Sequence, residues 1–208
     1  MMVPMGVRRW IFLLALAGAL CARAQVIEFE SGGLKYQTLT RRGVTIMYAH
    51  LPAIIRQWAV LQLAASNGSS AECAILPENL EFRRKDGTVA RADSANSVIR
   101  SLIERAGRND VIRLVGTYEL GLYGMQRFKS TNGYEQRRQS ALAEVSSARL
   151  KAAAAASAIA FVPARLKPGE STDGAVFFPT AGRPLGAGRL VMKVGGEVFE
   201  FDSEPARP

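Results

Sequence analysis

Histidine occurs once in this chain of 208 residues, at His50. Ser-His-acid and Cys-His arrangements need a histidine beside the nucleophile, and transition-metal sites need clusters of His and Cys. The sequence places no nucleophile next to His50, which therefore reads as a strand-end residue. Cysteine is nearly as scarce, with only Cys21 and Cys73. No Walker-type loop and no dinucleotide fingerprint after a strand is present. Gly121 and Gly124 have neither the spacing nor the context, so nucleotide binding is not expected and no cofactor is assigned. Paired carboxylates need neither metal nor histidine, and a carbohydrate or cell-wall hydrolase using two of them stays open as an alternative. The acids, among them Glu28, Glu30, Glu78, Glu81, Glu104, Glu119 and Glu170, show no grouping that points to such a pair.

Long apolar runs are missing except at the start. Arg8 and Arg9 precede the run Trp10 to Leu20, and Ala22-Arg23-Ala24 follows with the small-x-small pattern of a signal peptidase site. The run is shorter than the roughly 20 residues that span a bilayer. Residues 1–24 are thus expected to be a signal peptide cleaved after Ala24, giving a secreted or periplasmic protein with no transmembrane segment after cleavage. A lipid anchor at Cys21 is the alternative, although Leu20 stands where a lipobox wants a small residue. Cleavage would leave Cys73 as the one cysteine, so no intrachain disulfide could form and the fold would rest on its core. Cys73 lies in the apolar stretch Ala71 to Ile75, where a buried thiol behaves as a small hydrophobe.

The chain carries 27 Lys and Arg against 18 Asp and Glu, a net charge of +9. Three of the arginines lie in the leader, so the mature form is only moderately basic. Its cations are spread along the chain, which favours an envelope protein or an anionic surface polymer as partner and gives no sign of nucleic acid. Two short clusters are the candidate basic contacts: Arg83, Arg84 and Lys85 in a turn, and Arg137 and Arg138 on a helix face. A peripheral binder of anionic membrane surface is a further alternative, and its binding would weaken with salt.

Alternation predicts a strand from Gly43 to His50, ended by Pro52, and a second over Trp58 to Ala65 with Ala59, Leu61, Leu63 and Ala65 on one face. Ser66 to Ser70 is a cluster of turn formers that predicts a hairpin-like bend, and the sequon Asn67-Gly68-Ser69 within it reads as backbone geometry. Cys73 to Phe82, broken by Pro77, and Arg83 to Ala90, turning at Asp86-Gly87, continue the β pattern. Apolar residues at Val98, Ile99, Leu102, Ile103 and Ala106 then mark an amphipathic helix, with Asp93 or Ser94 as its cap and Gly107 as its stop. A second helix is expected from about Val111 to Leu120, and a longer one from about Asn132 through Ser157. The run Ala152 to Ala156 in that helix suits close packing. Strands are expected again at Ala158 to Pro163, Gly174 to Phe178, Arg189 to Val194 and Glu197 to Phe201, with Gly195-Gly196 as a two-residue hairpin connection.

Leu166-Lys167-Pro168-Gly169-Glu170 followed by Gly174-Ala175-Val176-Phe177-Phe178, together with the earlier Arg84-Lys85-Asp86-Gly87 turn, resembles bacterial exported immunoglobulin-like β-sandwich domains. In these a Pro-Gly-Glu turn precedes a Gly-x-Val-x-Phe strand. The resemblance implies an α+β chain: an immunoglobulin-like antiparallel β-sandwich with a helical insertion in the middle. The expected divisions are a signal peptide 1–24, an N-terminal extension 25–42, one sandwich domain 43–202 with its insertion at about 93–158, and a tail 203–208. Such domains are adhesive, structural or subunit-like, which implies a non-enzymatic exported structural or binding module of the cell envelope or periplasm.

Overall fold

The computed structural model describes residues 25–110, 112–114, 116, 119 and 147–204. In chain order these form β1 (Ile27–Ser31), β2 (Leu34–Arg41), β3 (Val44–Ile55), β4 (Trp58–Asn67), β5 (Cys73–Ile75), β6 (Leu80–Arg84) and β7 (Val89–Arg91). Helices α1 (Ala95–Arg105) and α2 (Ala148–Ile159) follow, then β8 (Ala164–Leu166), β9 (Ser171–Pro179), β10 (Gly188–Val194) and β11 (Glu197–Ser203). Five strands make one antiparallel sheet in the order β1-β2-β3-β4-β9, four make a second in the order β11-β10-β6-β7, and β5 pairs with β8.

The five-stranded sheet is the middle layer. On β4, Trp58, Val60 and Ala64 face the helices and belong to one apolar core, while Ala59, Leu61, Leu63 and Ala65 face the other sheet and belong to a second. A strand covered on both faces needs apolar residues at nearly every position, and β4 reads WAVLQLAASN. Phe82, Phe178, Leu190, Met192, Phe199 and Phe201 fill the core between the sheets. Each such side chain stabilises the fold by roughly 1.5–3 kcal/mol when fully buried. Cys73 is buried in this same core, and burial pushes its thiol pKa up.

The helical layer follows from short side chains. Ser94 caps α1 by accepting from the Ser97 N–H at 3.2 Å, and Val98 and Leu102 point inward. Helix α2 buries Ala152, Ala153, Ala155, Ala156, Ala158 and Ile159, and alanines let it lie close to α1 and the sheet. Half of the expected helix from Val111 to Leu120 lies outside the described residues, and its described residues, 112–114, 116 and 119, are helical. The part of the long helix before Ser147 lies outside the described residues, as do Arg137, Arg138, Cys21 and the leader. No helix among the described residues is long and apolar enough to cross a membrane.

Five expectations are corrected. Residues 25–42 are not an extension: β1 and β2 form a hairpin through Gly32-Gly33, and β2 pairs with β3 from Tyr36↔Ala49 to Arg41↔Val44. Pro52 does not end its strand. The register of β3 against β4 shifts between His50 and Ile54, a bulge that holds the exposed proline out of the ladder. Ser66 to Ser70 makes no hairpin, since the chain leaves β4 for β5, which pairs with β8. Ala158 to Pro163 is not a strand; helix α2 runs to Ile159 and Ala160 makes only an isolated bridge to Ala175. The tail also begins later than expected, because Ser203 is the last residue of β11.

Candidate functional site

The expected basic contacts near residue 84 lie at the β6–β7 turn. Arg83 stands on the outer face of the four-stranded sheet, where Glu81 lies 3.5 Å from Arg83 and 3.5 Å from Arg91. Arg189 on the same face meets Asp202 at 3.0 Å and Glu200 at 3.6 Å. Arg84 donates to Thr88 Oγ1 at 3.4 Å, and Lys85 is exposed in the turn. Asp86 accepts from the Thr88 hydroxyl and N–H, and the hydroxyl bond chiefly holds its carboxyl below the usual range. The face carries interspersed opposite charges: Glu81 meets Arg83 along β6 and Arg91 across on β7, so the cluster is not a uniform basic patch.

Folding gives His50 a partner that sequence separation conceals. Its Nε2 lies 2.7 Å from Ser203 Oγ, across the seam between β3 and β11 and 153 residues away. Tyr48 continues the polar seam, donating to Gln37 Oε1 at 3.0 Å, and Gln37 donates to Glu28 Oε1 at 2.6 Å and to the Asp202 carbonyl at 2.8 Å. Burial raises the Tyr48 hydroxyl to about 12 and lowers the His50 ring to about 4, so His50 is neutral at pH 7. A hydroxyl on a neutral imidazole is the beginning of a nucleophile–base pair. Ser203 is only 5 % exposed, however, so its hydroxyl is closed off from solvent. The hydrogen bond joins the two sheets.

Burial of the His50 ring makes stability depend on pH. The unfolded ring takes up its proton near pH 6.5 and the folded ring near 4, so between these values the unfolded state binds more protons. Stability contributed by neutral His50 is complete above about pH 6.5 and is lost as pH falls toward 4, by about 2–3 kcal/mol. Urea unfolding at pH 7.5 and 4.5 should show this loss in the wild type and a much shallower one in His50→Gln. Equal slopes would remove His50 as its source.

The remaining feature is the free edge of β1. Its connection, Gly32-Gly33, has φ of +59 and +77 and closes on Ser31 and Leu34. In a two-residue hairpin of this kind the closing pair exchanges hydrogen bonds, and every second pair along the ladder does the same. Phe29 and Ile27 therefore bond inward to β2, and Glu28 and Glu30 turn their N–H and C=O groups outward. No described residue pairs with that edge. Its side chains are unusual for an unprotected strand, with Ile27 62 % and Phe29 40 % exposed. The strand is nonetheless held firmly, since Phe29 stacks on Tyr36 at 5.2 Å and Glu28 is tied to Gln37. The signal that could have revealed it is the Gly-Gly pair, which also connects β10 to β11.

No family model matches the chain, and no curated protein matches it. A solved structure, that of the yjhA protein from Bacillus subtilis, is similar at 11 % identity over 80 % of this chain and 76 % of that one, with a TM-score of 0.32. A likeness at that level carries no argument about fold or function.

Proposed function

We propose that this chain is an exported, immunoglobulin-like module of the cell envelope, without catalytic activity, that binds a partner protein by accepting one of its segments as a sixth strand beside β1. Export is supported by Arg8 and Arg9, the apolar run to Leu20 and the Ala22-Arg23-Ala24 site. The immunoglobulin-like reading is supported by strand order. The sequence β3-β4-β9 in one sheet and β11-β10-β6-β7 in the other corresponds to strands A-B-E and G-F-C-C′ of that fold. The β1–β2 hairpin then widens the first sheet beyond A, and the helices fill the connection between C′ and E.

The observation that carries the binding reading is the preorganised open edge. An added strand gains main-chain hydrogen bonds from Glu28 and Glu30, and its alternate side chains read the two faces. On the helix side it meets Ile27 and Phe29; on the seam side it meets Glu28 and Glu30. The complementary segment alternates apolar and basic residues. A second copy of β1 fits poorly, because antiparallel pairing centred on Phe29 sets Glu28 opposite Glu30, and like charges directly opposite destabilise a sheet.

An eight-residue peptide alternating valine and lysine, added to the protein labelled for amide NMR, should shift the Glu28 and Glu30 amides saturably. A peptide alternating valine and glutamate should not. Glu30→Pro removes an outward N–H without touching the ladder to β2, and should abolish the shifts while leaving the rest of the spectrum intact. Equal response to both peptides, or shifts scattered away from β1, would overturn the reading. Concentration-dependent dimers in the absence of peptide would replace it with self-association.

A further inference from the structure

We infer that a second, separate site binds the phosphate group of a phosphate ester, in the open depression between the β3–β4 connection and the turn after β9. The depression has a volume of about 590 Å³ and is lined by Arg56, Gln57, Asp110, Arg113, Ala181 and Gly182, among other described residues.

Two backbone features hold its rims in costly conformations. Ile55 and Trp58 close the β3–β4 hairpin, so Arg56 and Gln57 are its two connecting residues, and Arg56 has φ +54. Across the depression Ala181 has φ +53. Glycine adopts such angles freely, whereas other residues do so at a cost that persists where the surroundings enforce it. Here they do. The Thr180 N–H donates to the Gln57 carbonyl at 2.8 Å, and a Cβ on Gly182 would sit 3.1 Å from the Arg56 carbonyl oxygen. An arginine at a position that glycine would fill without strain is accounted for by what its side chain reaches.

Arg56 meets Asp110 at 3.4 Å, and Asp110 also accepts the Gly107 N–H at 2.9 Å. Arg113 has no ion-pair partner among the described residues. Among the described residues, two guanidiniums and one carboxylate leave one positive charge without a partner at the mouth of the depression. A planar guanidinium offers paired donors that match the oxygens of phosphate. A tetrahedral phosphate can accept from two arginines approaching from different sides, whereas a single fork already satisfies a carboxylate. The wide mouth suits a phosphate carried on a larger molecule, either a soluble ester or a lipid headgroup.

The arginine side-chain Nε–H resonances report on this site directly. Titration with inorganic phosphate and with glycerol phosphate, at constant ionic strength, should move the Arg56 and Arg113 resonances saturably and leave Arg100 on α1 unmoved. Arg113→Gln should weaken the response of Arg56 at least tenfold, and Arg100→Gln should not change it. Glycerol phosphate displaced by phosphatidylcholine vesicles containing phosphatidic acid would support the site and assign it a lipid headgroup; no displacement, with binding of the soluble ester intact, would support it and assign a soluble ligand. Movement of Arg100 in step with Arg113, or an Arg113→Gln protein that binds as the wild type does, would overturn the inference. The Glu30→Pro protein should bind phosphate normally, so this site and the β1 edge stand or fall separately.

Discussion

Gly174→Ala is expected to lower the unfolding free energy by about 2–3 kcal/mol, or to leave the protein unfolded, because overpacking against immobile backbone is among the costlier substitutions. An ideal Cβ at Gly174 would lie 2.5 Å from Phe161 Cα, 2.6 Å from Phe161 N and 2.9 Å from Phe161 Cβ. None of these is the far end of a flexible side chain. The Phe161 N–H is bonded to the Ala175 carbonyl at 2.9 Å and Ala160 bridges to Ala175, so the segment leaving α2 is fastened across β9 where the methyl would go. Gly107→Ala is the control. Nothing lies within 4 Å of its Cβ position, its φ is not positive, and urea unfolding should differ from wild type by no more than about 0.5 kcal/mol. Wild-type stability in Gly174→Ala would mean that the chain after α2 does not cross β9 this closely.

Asn67→Ala is the second large effect, with an expected loss of about 2–4 kcal/mol in urea unfolding. The side chain is fully buried, and each of its polar atoms is used. Nδ2 donates to the Ala71 carbonyl at 2.7 Å and to the Leu166 carbonyl at 2.8 Å, while Oδ1 accepts from the Ser69 N–H at 3.0 Å and from its hydroxyl at 2.6 Å. Its backbone bonds both ways to the Lys167–Glu170 turn. Asn67 thus ties the end of β4 to the loops before β5 and after β8. Asn67→Asp keeps the acceptor but sets a charged oxygen against two carbonyls, and should be no more stable than the alanine variant. A stable Asn67→Ala protein would show that these loops hold without it. The buried amide also settles the sequon as geometry, since an attached glycan has no room.

The positions that could be read from sequence are those where a local rule acts alone. Gly195-Gly196 with alternating neighbours specified the β10–β11 hairpin, and Ser94 with its apolar period specified α1. Strand β1 obeys the same rule and was overlooked: Ile27 and Phe29 alternate with Glu28 and Glu30 ahead of Gly32-Gly33, but the strand is only five residues long and none of them is buried. Pro52 misled because a proline reads as a stop, whereas a bulge accommodates it within a long strand. Gly174 was visible as part of a strand motif, but its neighbour Phe161 arrives from α2 and could not be. The seam between His50 and Ser203 and the placing of Arg56 and Arg113 on one depression are likewise products of topology, bringing together residues that no local pattern connects.

The most direct test of the central claim is site-specific photocrosslinking in intact cells, with the crosslinker placed in turn at Glu28, at Glu30 and, as a control edge, at Val89 on β7. The edge-strand account predicts one discrete crosslinked protein from positions 28 and 30, absent from position 89. Mass spectrometry should map it to a segment of alternating apolar and basic residues. No product at β1, or the same products from β1 and β7, would contradict it.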